Sequence, residues 1–160
     1  RNMLCEKILG KINNTNHTKA VETVDFEWHE IYKKLHKKIT SSGEEIGIRL
    51  DNDILKKGLR DGDILYEDDK KTVVVNILPC ETIIIDVRPD HLASVAKVCY
   101  EIGNRHATLL HGEGDFQFLT PYTAPMKEML EKIHGTTVHV DTIHLDFDKS
   151  ISSTVNNHTH

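Results

Sequence analysis

Eleven histidines are the side chains of this chain best suited to chemistry, and seven of them follow residue 100. Neutral imidazole is a good ligand for Ni²⁺, Cu²⁺ and Zn²⁺, so the second half is where metal chemistry is expected. His106 closes the run Gly103-Asn104-Arg105-His106. The run lies between an apolar-striped segment and a strand-like one, which would hold the ring at an element boundary instead of in a core. Taken alone, a single His at such a place is more often structural than a ligand. One imidazole is also too few for a tight site, but a two-fold dimer would set two copies face to face. His158 and His160 are two apart. In an extended chain both would face one side and could chelate one ion, although a polar chain end is the simpler reading. His144 is close enough to that end to join it. His139 would face away from His144 along a strand and reads as a surface residue. His111, ahead of Gly112-Glu113-Gly114, reads as a hairpin edge, and His29 and His36 read as solvated surface.

Other chemistries find less support. Cys5, Cys80 and Cys99 are odd in number and contain no CxxC, so neither a disulfide framework nor a thiolate zinc site is indicated, and a reducing cytoplasm is the expected location. There is no His-Glu-x-x-His, no Gly-x-Ser-x-Gly and no phosphate-cradling glycine loop, so no enzyme is expected. Glu113 and Asp115 sit in a turn, whereas an acid/base couple needs a cleft. The formal net charge of −5 argues against a general nucleic-acid binder, which needs a surplus of Lys and Arg. No apolar run approaches the ~20 residues that span a bilayer, and the first residues lack the layout of a signal peptide.

The elements that must position these groups fall into two sets. Up to about Leu78 the sequence reads as short strands: Met3 to Ile12, Val21 to Trp28, the alternating Glu45 to Leu50, and the β-branched Lys71 to Leu78. Turn clusters at Asn13–Asn16, Ser41–Gly43 and Asp61-Gly62 separate them. Strands at this spacing predict a small sandwich or barrel. After Pro79 the grammar changes. Thr82 to Val87 is a strand. A helix then runs from an Asp90 N-cap to a Gly103 C-cap, with Leu92, Val95, Ala96, Cys99 and Ile102 as its stripe. Thr108–His111 and Phe116–Leu119 are two strands joined by a glycine-rich turn. Thr123 caps a second helix with the stripe Met126, Met129, Leu130 and Ile133, and Thr136–Ile143 is the last strand. The order β-α-β-β-α-β is that of ferredoxin-like domains. The expected layout is therefore α+β, with a β-rich domain over 1–79, a ferredoxin-like domain over 80–145 and a flexible His-containing tail over 146–160.

The stretch Tyr100-Glu101-Ile102-Gly103-Asn104-Arg105-His106-Ala107 resembles the signature of the urease accessory protein E (UreE) family of nickel metallochaperones. The similarity extends to Gly112–Phe116, Thr120-Pro121-Tyr122, Gly43–Leu50 and Leu59–Leu65, so it covers roughly residues 3 to 143. The resemblance implies a partner-binding N-terminal domain and a metal-binding C-terminal one. It implies a homodimer that holds Ni²⁺ as cargo between the two copies of His106, and delivery to apo-urease with the other accessory proteins, including the accessory GTPase. It also raises His158 and His160, and to a lesser degree His144, as added ligands. Two departures stand out: the histidine-rich tail of many members is reduced here to His158 and His160, and Gln117–Tyr122 lacks the His pair that some members carry. High-capacity storage is therefore not expected. Zn²⁺ or Cu²⁺ can bind the same donors, since Cu²⁺ ranks above Ni²⁺ intrinsically. Because ligating imidazole must be neutral, affinity should fall below about pH 6.5. The alternative function is a metal-independent protein-interaction or folding-chaperone module. A small metal-dependent hydrolase would need a cleft carboxylate near His106.

Overall fold

A computed structural model describes residues 3–13 and 18–151. The chain divides into two compact units, residues 1–78 and 79–160.

The first unit is built on two three-stranded sheets. One has the order β1 (Met3–Cys5), β4 (Glu45–Arg49), β3 (Leu35–Ile39); the other has β2 (Ala20–Phe26), β6 (Lys71–Ile77), β5 (Ile64–Glu67). Both contain a parallel pair, β1 with β4 and β2 with β6. Period-two alternation does the sorting. Met3, Cys5, Ile46 and Ile48 are buried on one face of the first sheet, whereas Leu4 stands exposed on the other. Strand β6 is central, and Thr72 through Val75 are buried on both of its faces. The segment after β2 forms a short 3₁₀ turn over Trp28–Glu30 before β3 begins. A one-turn helix, α1 (Ile54–Lys57), precedes β5.

The second unit has the expected β-α-β-β-α-β order: β7 (Cys80–Val87), α2 (Leu92–Asn104), β8 (Leu109–His111), β9 (Gln117–Pro121), α3 (Ala124–Glu131) and β10 (Thr136–Ile143). Its sheet runs β10-β7-β9-β8, all antiparallel, with a short fifth strand, β11 (Ser150–Ile151), on the β8 edge. Ile83, Ile85 and Phe118 from the sheet pack with Val98 and Ile102 of α2 and with Met126 and Leu130 of α3. Thr123 caps α3 as expected, its hydroxyl accepting from the Met126 amide at 3.3 Å. Among the described residues no helix is long and apolar enough to cross a membrane.

Three details differ from the sequence reading. Val95, Cys99 and Ile102 of the expected α2 stripe pack against the core together with Val98, while Leu92 and Ala96 face out; apolar residues on both sides of the helix made the stripe read too wide. Asp90 does not cap α2, because its carboxylate is engaged by the His91 ring and by Arg88. The tail expected from residue 146 is part of the fold as far as Ile151: Leu145 and Phe147 are buried, and β11 pairs with β8. Two large apolar side chains spaced two apart pull this otherwise polar stretch onto the sheet.

Candidate metal centre

The last turn of α2 sets the geometry of His106. Helix carbonyls at a C-terminus need partners, and a common closure places one residue in the left-handed conformation so that the next amides fold back. Here the His106 amide donates to the Gly103 carbonyl at 3.0 Å, and the Ala107 amide donates to the Ile102 carbonyl at 3.2 Å. The residue in the left-handed slot is His106 itself, with φ +55°, and among the described residues no other non-glycine has a positive φ. Gly103, expected as the cap, lies inside the helix. The closure falls at His106 because Ile102 and Ala107 on its two sides both pack into the core. A left-handed non-glycine costs about 1–3 kcal/mol. Its effect is to aim an exposed imidazole away from the end of the helix. Arg105 beside it is paired with Glu101 one turn back.

The open side of α2 leads to the same place. Leu92, Ala96, Tyr100 and Gly103 follow at steps of three and four and all are exposed, which puts them on one face. Leu92 and Tyr100 are about two-thirds exposed, an uncovered apolar strip that ends one turn before His106.

His144 is placed elsewhere. Strand β10 ends at Ile143, so the alternation that would turn His144 away from His139 stops there. Both residues line a hollow of about 370 Å³ together with His111, Glu113, Asp146 and Lys149, and His106 is not part of its lining. Sequence spacing alone did not pair these three histidines; the turn after β10 brings them to one hollow. His158 and His160 lie outside the described residues. Among the described residues no three His, Cys, Asp or Glu side chains converge as a metal-binding group, so His106 does not gather a ligand set from the described part of its own chain. Cys5, Cys80 and Cys99 form no disulfides. Burial pushes the Cys5 thiol up to about 11, against a weaker opposing hydrogen bond to the Lys7 carbonyl, and the same cause raises Cys99. The Cys5 and Cys99 thiols stay protonated near neutral pH, which makes them poorer donors than imidazole.

His36, read as solvated, is half-buried in the first unit. Its ring meets Phe26 edge-on at 5.1 Å, and its Nε2 donates to the Lys33 carbonyl at 2.8 Å. The missed signal was its place in β3, where even positions turn inward.

Comparison with known proteins agrees with this architecture. Residues 5–78 match the model of the UreE urease accessory protein N-terminal domain, and residues 82–160 that of its C-terminal domain. The urease accessory protein UreE of Helicobacter pylori (strain Shi470) is 43% identical over 145 residues, covering 90% of this chain and 83% of the relative. That of Helicobacter acinonychis (strain Sheeba) is 43% identical over 82% of this chain and 76% of its own length. That of Helicobacter bizzozeronii is 37% identical over 82% and 73%. Matched along both units, the chain belongs to the UreE family of urease accessory proteins.

Proposed function

We propose that this protein is a cytoplasmic nickel carrier, not an enzyme, and that it delivers Ni²⁺ to apo-urease during assembly of the urease metal centre. The observation that carries this reading is His106: an exposed imidazole held in a strained backbone slot where glycine is the usual occupant. Strain of this kind is retained when the side chain is needed. The protein acts as a homodimer in which the uncovered face of α2 meets its two-fold copy, bringing two His106 rings to one ion. Tail residues His158 and His160 add donors, with His144 as a further one.

The path of the chain supports the tail's part. Strand β11 runs antiparallel to β8, with Ile151 opposite Leu109, so it points back toward His106. Nitrogen ligands favour Ni²⁺ over Mg²⁺ and Ca²⁺. A seam between two copies, completed by tails, can both take up and release its cargo.

The first unit supplies the partner surface for urease and its accessory proteins, including the accessory GTPase. Leu4, Leu35 and Ile39 are each more than half exposed on the outer side of the β1-β4-β3 sheet, next to Lys37 and Arg49. The same patch is what would serve a metal-independent interaction module.

Nickel titration calorimetry separates the two readings. It should be run on the full chain, on His106→Ala and on a chain ending at Ser153, with oligomer mass followed in parallel. The carrier reading expects a tight site in the dimer that is lost in His106→Ala and weakened by truncation. Wild-type nickel binding by His106→Ala would overturn it in favour of the interaction module.

A further inference from the structure

The opposite end of α2 holds a second pair of imidazoles. His91 stands at the helix N-terminus and His134 follows α3, and their ring centroids are 4.8 Å apart with planes at 61°. Each ring nitrogen sits about 2.0–2.1 Å from a bound first-row cation, so a ring centre lies roughly 3.2 Å from the ion. Two rings held 90–110° apart on one ion would then have centres about 4.5–5.2 Å apart. The observed spacing falls inside that interval. We infer that His91 and His134 form a two-imidazole site for a borderline divalent cation such as Cu²⁺, Ni²⁺ or Zn²⁺, separate from His106 and completed by solvent.

The chemistry of His91 suits a ligand. Its Nδ1 lies 2.9 Å from Asp90 Oδ1. A carboxylate only accepts, so Nδ1 carries the proton and Nε2 keeps the free lone pair. A carboxylate on the outer nitrogen is the usual means of orienting a ligating histidine and raising its basicity.

The pair is preorganised by backbone. The Arg88 amide donates to the Gly135 carbonyl at 2.8 Å, and the Ser94 hydroxyl donates to the His134 carbonyl at 2.5 Å. These two bonds latch the turn after α3 onto the start of α2 from both sides. The His91 ring lies directly over Gly135, where a Cβ would come within 2.6 Å of it, and Gly135 has φ +82°. Glycine is required there both for the turn and for the ring. Two opposing charges keep the site weak: Arg88 pairs with the other Asp90 oxygen at 3.2 Å, and a helix N-terminus carries partial positive charge. With two protein donors and these neighbours, the site exchanges its ion readily instead of storing it.

The test uses Cu²⁺ as a paramagnetic probe on full-length, isotope-labelled His106→Ala protein, so that the proposed nickel seam does not contribute. The amides of Ser94, His134 and Gly135 should broaden at the first additions, and His134→Gln in the same background should abolish that local broadening. His134 is exposed, and an otherwise unchanged amide spectrum confirms that the variant folds. His91→Gln is the second arm and should give the same loss. Absence of broadening at these amides, or its persistence in His134→Gln, overturns the proposal.

Discussion

The two ends of α2 present imidazole in opposite ways. At the C-terminus one exposed ring, His106, is held by a strained backbone and belongs to no metal-binding group of three or more His, Cys, Asp or Glu among the described residues. At the N-terminus two rings, His91 and His134, stand together with neither residue at positive φ, and the left-handed position next to His134 is taken by a glycine. The contrast separates two ways of building a site. A ring that meets its partner within one chain can be placed by ordinary turns and hydrogen bonds. Under the proposed carrier role, a ring that is to meet a copy of itself must project from the surface, and here that projection costs backbone strain.

The comparison can be broken in three ways. The largest effect should come from Ile102→Ala, which hollows the core that both ends of α2 share. Ile102 is fully buried, and its carbonyl receives the amides of Arg105 and Ala107. A loss of about 2–5 kcal/mol is expected, read as a lower urea midpoint for the second unit. If the midpoint hardly moved, α2 would not be held by this core, and the shared-scaffold view of its two ends would be wrong.

A smaller and opposite effect is expected from His106→Gly. Glycine occupies the left-handed slot without penalty, so stability should rise by about 1 kcal/mol. Nickel affinity should meanwhile fall by more than the roughly 100-fold that loss of an outer-shell partner costs. The useful contrast is His106→Ala, which loses the ligand but keeps the strain. Equal thermal stability of the Gly and Ala variants would mean that the slot is not strained at all.

The subtlest effect concerns His36, which belongs to neither end of α2. Burial holds its pKa below the ordinary 6.5, with the nearby charges of Lys38 and Lys33 acting in the same direction and the hydrogen bond to the Lys33 carbonyl and the Glu30 charge opposing. The folded state therefore resists a proton that the unfolded chain accepts. The stability it contributes is complete above about pH 6.5 and is lost as pH falls from there toward the lower folded pKa. Urea midpoints of metal-free protein at neutral and mildly acid pH should show this loss, and His36→Gln should reduce it. An unchanged pH slope in that variant would remove His36 as the cause.

Much of the second unit was readable because each element carries a local signal. Thr123 precedes an apolar helical period, Gly112 to Asp115 separates two short runs rich in large apolar residues, and the order of elements constrains the sheet. The strand partners of the first unit were not readable, since alternation tells which face of β1 or β2 is buried but not that β4 and β6 lie beside them in parallel. His106 was singled out by its place at an element boundary. The reason it can project was hidden, because Gly103 is the more obvious cap and only the packing of Ile102 and Ala107 moves the closure onward. His91 and His134 gave no signal: they are 43 residues apart in sequence, and a turn latched by backbone hydrogen bonds has no residue pattern of its own.

The two parallel pairings of the first unit also bear on how the chain is made. Strand β1 must wait for β4, and β2 must wait for β6, which ends at Ile77. The two closures overlap along the chain: the first sheet cannot be complete before Arg49 and the second not before Ile77, so the unit as a whole waits for almost all of its residues. Such long-range pairing slows folding. During synthesis, N-terminal units fold first. The first unit can therefore finish as one late, cooperative event once its last strand has emerged, while α2 and His106 are still to follow.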